Sequence, residues 1–248
     1  MLKYNFKYNL DHPYRSIEHR NILLNKKILK DIYTNWYDIF KSFVKNDGKY
    51  VELGSGGGFI KDIIPQVTTS DINDIPGVDL SFSAEKMPFD NDSLSAIFMI
   101  DTFHHIPNVS DFLNEARRVL KVGGKIIMIE PWNTRWSRFI YNRFHHELFD
   151  LTRDWTFESS GPLSGSNMAL PYIIFRRDRK VFDEKFQELK LIDIKPHSPF
   201  TYLLSGGFSR KAFIPDFLFP LFQKIEQPSW VRKSFAMFVT IIIEKVIR

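Results

Sequence analysis

The chain has 248 residues, 34 Lys and Arg against 29 Asp and Glu, and a formal charge of +5 at pH 7. That length suits one generous α/β domain or a domain with a cap, and 44% hydrophobic against 25% charged residues excludes disorder as the overall state. The absence of cysteine excludes a disulfide scaffold, a thiolate metal site, an iron–sulfur cluster and a cysteine nucleophile, and fits a reducing cytoplasm.

Residues 16–44 predict a helix, because Ile17, Leu24, Ile28, Ile32, Trp36, Ile39 and Phe43 recur at helical spacing before the turn signal Asn46-Asp47-Gly48. A short strand over 49–53 runs straight into Gly54-Ser55-Gly56-Gly57-Gly58, and 59–64 supplies a short helix closed by Pro65. Strands follow at 67–70, ending on Asp71, at 78–82, and at 94–100, an apolar run of the kind buried on both faces. A helix over 109–120 closes with Lys121-Val122-Gly123-Gly124, a C-cap signal, and 125–130 is a fifth strand. Strands alternating with helices predict an α/β fold with a doubly wound, parallel sheet.

Beyond Pro131 the pattern loosens into a helix plus a long loop over 132–171, a helix over 179–189, a strand over 191–195 and a final strand over 236–246. The stretch 197–234 between those strands is too long for a structureless loop and reads as a functional insertion. With 24 Phe, the chain must bury rings or show them to an apolar ligand or membrane surface. Trp132, Trp136, Phe139, Tyr141 and Phe144 read as core from their spacing. No run is long enough to cross a bilayer and the first residues lack a signal-peptide core, so a soluble, cytoplasmic protein is expected. The mild, interspersed positive charge does not point to nucleic acid.

The glycine run lies where a ligand would rest against backbone at the carboxyl end of a strand. A phosphate loop would need Gly-Lys-Ser/Thr where Gly58-Phe59-Ile60 stands, and the dinucleotide pattern G-x-G-x-x-G would need glycine at Phe59. What remains is G-x-G-x-G preceded by an acid, Glu52-Leu53-Gly54-Ser55-Gly56-Gly57-Gly58.

This run resembles motif I of class I S-adenosylmethionine-dependent methyltransferases. Asp71, at the end of the second strand, matches the family's ribose-binding acid. Ser83-Ala84-Glu85-Lys86-Met87-Pro88-Phe89 resembles the D-A-x-x-L-P-F stretch of the type 11 subgroup. Asp92 to Ile97 with Phe103-His104-His105-Ile106, and then Leu120 to Lys125, resemble its next two motifs. Ser83 stands where the subgroup has Asp, leaving the adenine contact to Ser83 Oγ or backbone, and Ser95 also replaces an Asp.

The resemblance implies a seven-stranded, mostly parallel, Rossmann-like methyltransferase fold with a helical, aromatic cap. It divides the chain into an N-terminal helical segment (1–48), a cofactor-binding core (49–131), an insertion or lid (132–178, with loop 159–167), and the C-terminal part of the core (179–248) carrying the cap at 197–234. S-Adenosylmethionine is the implied cofactor and S-adenosylhomocysteine its product. The implied cofactor contacts are Glu52, Gly54, Ser55, Gly56, Gly58, Asp71, Ile72, Ser83, Ala84, Asp101 and His105.

A hydroxyl acceptor would use a base near neutral pH, and His104, His105, His145 and His146 are the candidates. His145-His146-Glu147 with Asp150 invites a metal reading, since helical spacing would join His146 to Asp150, but no third ligand is evident and no metal is assigned. No Asn/Asp-Pro-Pro-Tyr/Phe motif follows the fourth strand, which argues against a nucleic-acid amino methyltransferase. The expected activity is O-methylation of a small, glycan- or lipid-linked acceptor. Arg210, Lys211, Lys224, Arg232 and Lys233 also suit peripheral contact with an anionic membrane. The competing readings are a non-catalytic binding module and a dinucleotide-dependent oxidoreductase.

Overall fold

The structure is a computed structural model that describes residues 3–158 and 160–247. Seven strands form one sheet: β1 (Tyr50–Leu53), β2 (Val67–Asp71), β3 (Leu80–Ser81), β4 (Leu94–Ile100), β5 (Leu120–Pro131), β6 (Leu189–His197) and β7 (Phe238–Lys245). Their order is β3-β2-β1-β4-β5-β7-β6. The first five are parallel, whereas β7 runs antiparallel to both β5 and β6. The order reverses between β1 and β4, and that switch point opens a crevice at the strands' carboxyl ends.

Helices cover the sheet: α1 (Pro13–Asn25), α2 (Lys27–Lys41), α3 (Val109–Val119), α4 (Arg135–Phe144), α5 (Leu170–Tyr172), α6 (Arg179–Lys185), α7 (Thr201–Ser205), α8 (Phe219–Ile225) and α9 (Ser229–Phe235). The amphipathic pattern of α2 buries Ile28, Leu29, Ile32, Tyr33, Trp36, Tyr37 and Phe40. Phe98 of β4 stacks on Phe40 at 4.8 Å and on Tyr50 at 5.9 Å, so helix, first strand and fourth strand share one aromatic column. Much of the phenylalanine excess is spent this way: Phe40, Phe98, Phe103, Phe112, Phe175, Phe182 and Phe186 are fully enclosed.

Several local expectations shift. The helix expected over 16–44 is two helices, broken at Lys26, whose backbone is extended (φ −104°, ψ 98°). Lys26 leaves the helix because its ammonium is claimed by the carbonyls of Gly207 and Arg210, the latter at 2.6 Å. The helix expected over 59–64 is only a 3-10 turn at Ile60–Asp62. Lys121 to Gly124, read as a helix-ending turn, already belongs to β5, as does Leu120, expected to be the last helical residue. The ladder accommodates it through a register shift between Leu94 and Ala96, and Gly123 takes φ +78°. The helix after Asp178 stops at Lys185, because Phe186 turns inward and is buried.

The segment 197–234 forms α7, a 3-10 turn, α8 and α9 rather than irregular chain. Of the aromatic residues after β5, Trp132 and Tyr141 are core. Trp136 is partly buried against the core, but Phe139 and Phe144 are exposed, so helical spacing overstated their burial. No described helix is long and apolar enough to cross a membrane.

Candidate active site

The glycine loop leaves β1 with Gly54 at φ +65° and Gly56 at φ +44°, conformations that glycine tolerates and other residues resist. Side chains of the second strand hold its shape. Asp71 Oδ2 accepts from Gly56 N at 3.1 Å, and Oδ1 accepts from Asn73 N at 3.0 Å. Ser70 Oγ donates to the Glu52 carbonyl at 2.9 Å, and Ser55 N donates to the Ser70 carbonyl at 2.8 Å. Because a single 3-10 turn follows the loop, a full helix dipole is not aimed at the ligand; positioned N–H groups and carboxylates make the site instead.

Above the loop lies a cavity of about 690 Å³. All eleven residues assigned to the cofactor from sequence line it, from Glu52 through Ser83 and Ala84 to Asp101 and His105. Ile72 is largely exposed beside Asp71 in the cavity lining. Ser83 Oγ accepts from Glu85 N at 3.2 Å and so is partly committed to its own turn. Glu52 is buried, and among the described residues its Oε2 is the buried side-chain oxygen or nitrogen left without a hydrogen-bond partner. Burial pushes its carboxyl up to about 8, against the pull of the Ser55 and Tyr37 hydroxyls. An orphaned acid beside a glycine cradle fits a ligand that brings an amino donor.

Residues that motif reading missed close the cavity. These are Arg15, Ser16 and His19 of α1 and Tyr33 and Tyr37 of α2, which line it together with Tyr202 to Leu204, Gly206 to Arg210 and Phe213 of the stretch expected to form a cap. The Arg20 guanidinium holds the Gly58 carbonyl. Asp11 Oδ1 accepts from Leu163 N at 2.8 Å and Ser164 N at 2.9 Å, tying the loop after Ser159 to the N-terminal segment. Ser159 itself lies outside the described residues. No local pattern marks these contacts, since each joins segments far apart in the chain.

Four histidines gather around Glu147. His104 is enclosed behind the cavity surface, with Nδ1 2.7 Å from Glu130 Oε2 and Nε2 3.0 Å from Glu147 Oε2. His105 Nδ1 meets the Gly165 carbonyl at 3.1 Å, while its Nε2 stands 3.7 Å from Glu147 Oε2. His145 and His146 approach Glu147 Oε1 at 3.9 and 3.7 Å. Burial alone would favour a neutral His104, but the two carboxylates raise it well above the usual imidazole range. His105, lacking so close a partner, is lowered to about 4 by burial. Burial pushes Asp101 up to about 7, Glu147 and Glu130 adding to it against the pull of His104.

His146 and Asp150 do not meet in the way helical spacing suggested, because α4 ends at Phe144 and Asp150 instead caps Thr152 and Arg153. Glu130 was also overlooked, although an acid at the end of a buried strand is the same signal that marked Glu52.

The switch-point crevice, glycine cradle and paired acids define a methyltransferase of the class I fold. Residues 51–128 match the family model described as "Methyltransferase domain". Over that span the chain is a type 11 methyltransferase domain, and the enzyme uses S-adenosylmethionine. No curated protein sequence matches the chain. Among solved structures, an S-adenosylmethionine-dependent methyltransferase from Thermotoga maritima is similar with a TM-score of 0.57 at 16% identity, over 94% of this chain and 100% of that one. Geranyl diphosphate C-methyltransferase from Streptomyces coelicolor is similar with a TM-score of 0.53 at 12% identity, over 96% and 88% of the chains. At such identities these likenesses show the shared fold.

Proposed function

We propose that this enzyme methylates an oxygen of a small acceptor, free or glycan- or lipid-linked, that enters beneath the aromatic cap. The observation that carries this reading is the two-sided cavity. The glycine loop and its acids form one side. The rest of the lining combines His105, His145, His146 and Glu147 with the apolar side chains of Ile140, Leu203 and Phe213. S-Adenosylmethionine, when bound, supplies a methyl group already carrying its leaving group. The protein's work is then to align the acceptor oxygen, exclude water and receive a proton. With the cofactor held there, the methyl would be supplied to the acceptor oxygen in exchange for the bond to sulfur, and the histidines of the lining would receive the proton that this oxygen gives up.

Glu52, Gly54, Ser55, Gly56 and Gly58 would hold the amino acid end of the cofactor, Asp71 its ribose, and Ile72, Ser83 and Ala84 its base. Asp71→Ala is expected to weaken S-adenosylhomocysteine binding by about 1.5–3 kcal/mol, roughly 10- to 150-fold, since a charged acceptor is lost. Titration calorimetry checks this, and unchanged affinity would remove Asp71 from the ribose role.

The acceptor is tested by incubating the enzyme with methyl-labelled S-adenosylmethionine and matched panels of phenols, alcohols, amines and carboxylic acids. Label is expected in the hydroxyl compounds, increasingly with apolar size; label confined to amines or carbon would overturn O-methylation.

The cap's outer side supports lipid-surface contact as a second feature. Leu221 and Ile225 share one exposed face of α8, and Phe217, Trp230, Lys224 and Lys233 are exposed nearby in sequence. Co-sedimentation with anionic vesicles, absent with neutral ones, is the expected result.

A further inference from the structure

We infer that His104, His105 and Glu147 form a binding site for one divalent transition ion of the zinc class, on the acceptor side of the cavity. Their ligating atoms all lie within 4.8 Å of one another. Two donors bound at about 2.0–2.2 Å to a tetrahedral ion stand roughly 3.3–3.6 Å apart. The separations of 3.0 Å from His104 Nε2 and 3.7 Å from His105 Nε2 to Glu147 Oε2 bracket that range.

The orientation of the rings is the second, independent observation. A metal-bound imidazole characteristically gives its other N–H to a carboxylate or a backbone carbonyl, which fixes the tautomer and aims the remaining lone pair. Both arrangements occur here. His104 Nδ1 is engaged by the fully buried Glu130, itself held by the Thr102 and Phe103 N–H groups at 2.8 Å each. His105 Nδ1 is engaged by the Gly165 carbonyl. Each ring therefore turns Nε2 toward the same carboxylate.

Two imidazoles and one carboxylate, without thiolate, suit Zn2+ or Co2+ and suit Mg2+ or Ca2+ poorly, since those prefer all-oxygen shells. His105 and Glu147 line the cavity whereas His104 lies behind it. The fourth coordination position therefore faces the cavity, where a water or an acceptor oxygen would bind. His145 and His146 flank the other oxygen of Glu147 and stay outside the ligand set. The ion site stands independently of the acceptor assignment; only the identity of the oxygen on its open position rests on that reading.

Co2+ is the probe, because its visible spectrum reports coordination. The untagged chain, stripped with chelator, is titrated with Co2+ alone. Expected are one equivalent bound, an absorption band of the intensity typical of four- or five-coordinate ions, and displacement of the band by Zn2+. His105→Ala and Glu147→Gln should each weaken Co2+ binding at least about 100-fold, while His146→Ala changes it less than about threefold. Circular dichroism and melting temperature, measured on the same samples, show that each variant is folded. S-Adenosylhomocysteine affinity of the unaltered protein separates failure of the ion site from failure of the methyltransferase reading.

No Co2+ or Zn2+ bound by a protein that still binds S-adenosylhomocysteine would overturn the site and leave His104 as an imidazolium bridging two carboxylates. Binding that survives both ligand variants, or that shows only a weak six-coordinate band, would overturn it equally.

Discussion

Glu52→Gln is expected to make the ligand-free protein more stable than the wild type above about pH 5, by an amount that grows with pH until it levels near pH 8. Glu52 sits at the end of β1, buried, with one carboxylate oxygen unpartnered and its carboxyl pushed up to about 8 by burial. In the unfolded chain a glutamate ionises near about 4.3. Between those values the folded protein keeps a proton that the unfolded chain has released, so stability falls as pH rises, by about 1.4 kcal/mol per unit. Below the window both states are protonated and nothing is lost; above it both are ionised and the loss is constant. The penalty that glutamine escapes reaches about 3–5 kcal/mol at pH 8, which for a chain of this size is roughly 6–20 °C in melting temperature.

Thermal melts of both proteins from pH 5 to 9 check this. The gap should open between pH 5 and 8 and then level, and a gap independent of pH would show that Glu52 is not the titrating group. The same change should weaken S-adenosylhomocysteine at least about tenfold, as the anionic partner for its amino group is lost. The buried acid thus costs stability where it serves binding, a pattern common at functional sites.

The second large effect is expected from Gly57→Ala. A Cβ on Gly57 would lie 2.6 Å from the Ser16 carbonyl oxygen and 2.7 Å from Arg20 N. Both are backbone atoms of α1, so no rotamer change relieves the overlap and the helix itself must move. Overpacking of this kind costs about 1–3 kcal/mol. Since α1 carries Arg15, Ser16 and His19 into the cavity wall, displacement also opens the site. The expected result is a lower melting temperature, S-adenosylhomocysteine binding weakened by tenfold or more, and faster proteolysis within the first 25 residues. Unaltered proteolysis together with unaltered affinity would mean that α1 does not seal against the glycine loop.

Much of this site was legible in the sequence because its signals are short. A strand that runs into Gly54-Ser55-Gly56 and another that ends on Asp71 mark two walls of the cavity without any knowledge of the fold, and β4 announced itself by an apolar run. The same local reading failed where a tertiary contact competes with helical propensity. Lys26 breaks a helix whose spacing is unbroken, because two carbonyls of the cap take its ammonium. Phe139 and Phe144 keep core spacing yet are exposed, Phe144 at the cavity, with their rings edge to face on each other.

The sequence alone determined the strand–glycine–acid order, since each signal spans a few residues and follows from backbone conformation or strand burial, and the resemblance of that order to class I methyltransferases implied the fold and the cofactor class. Only the tertiary structure decided what surrounds that cofactor cradle. Glu130 and Glu147 reach His104 across 26 and 43 residues, and α1 and α2 close over a loop to which no motif connects them. Such contacts arise when the whole core packs, so the energy that selects them is distributed over the fold and leaves no periodic trace along the chain.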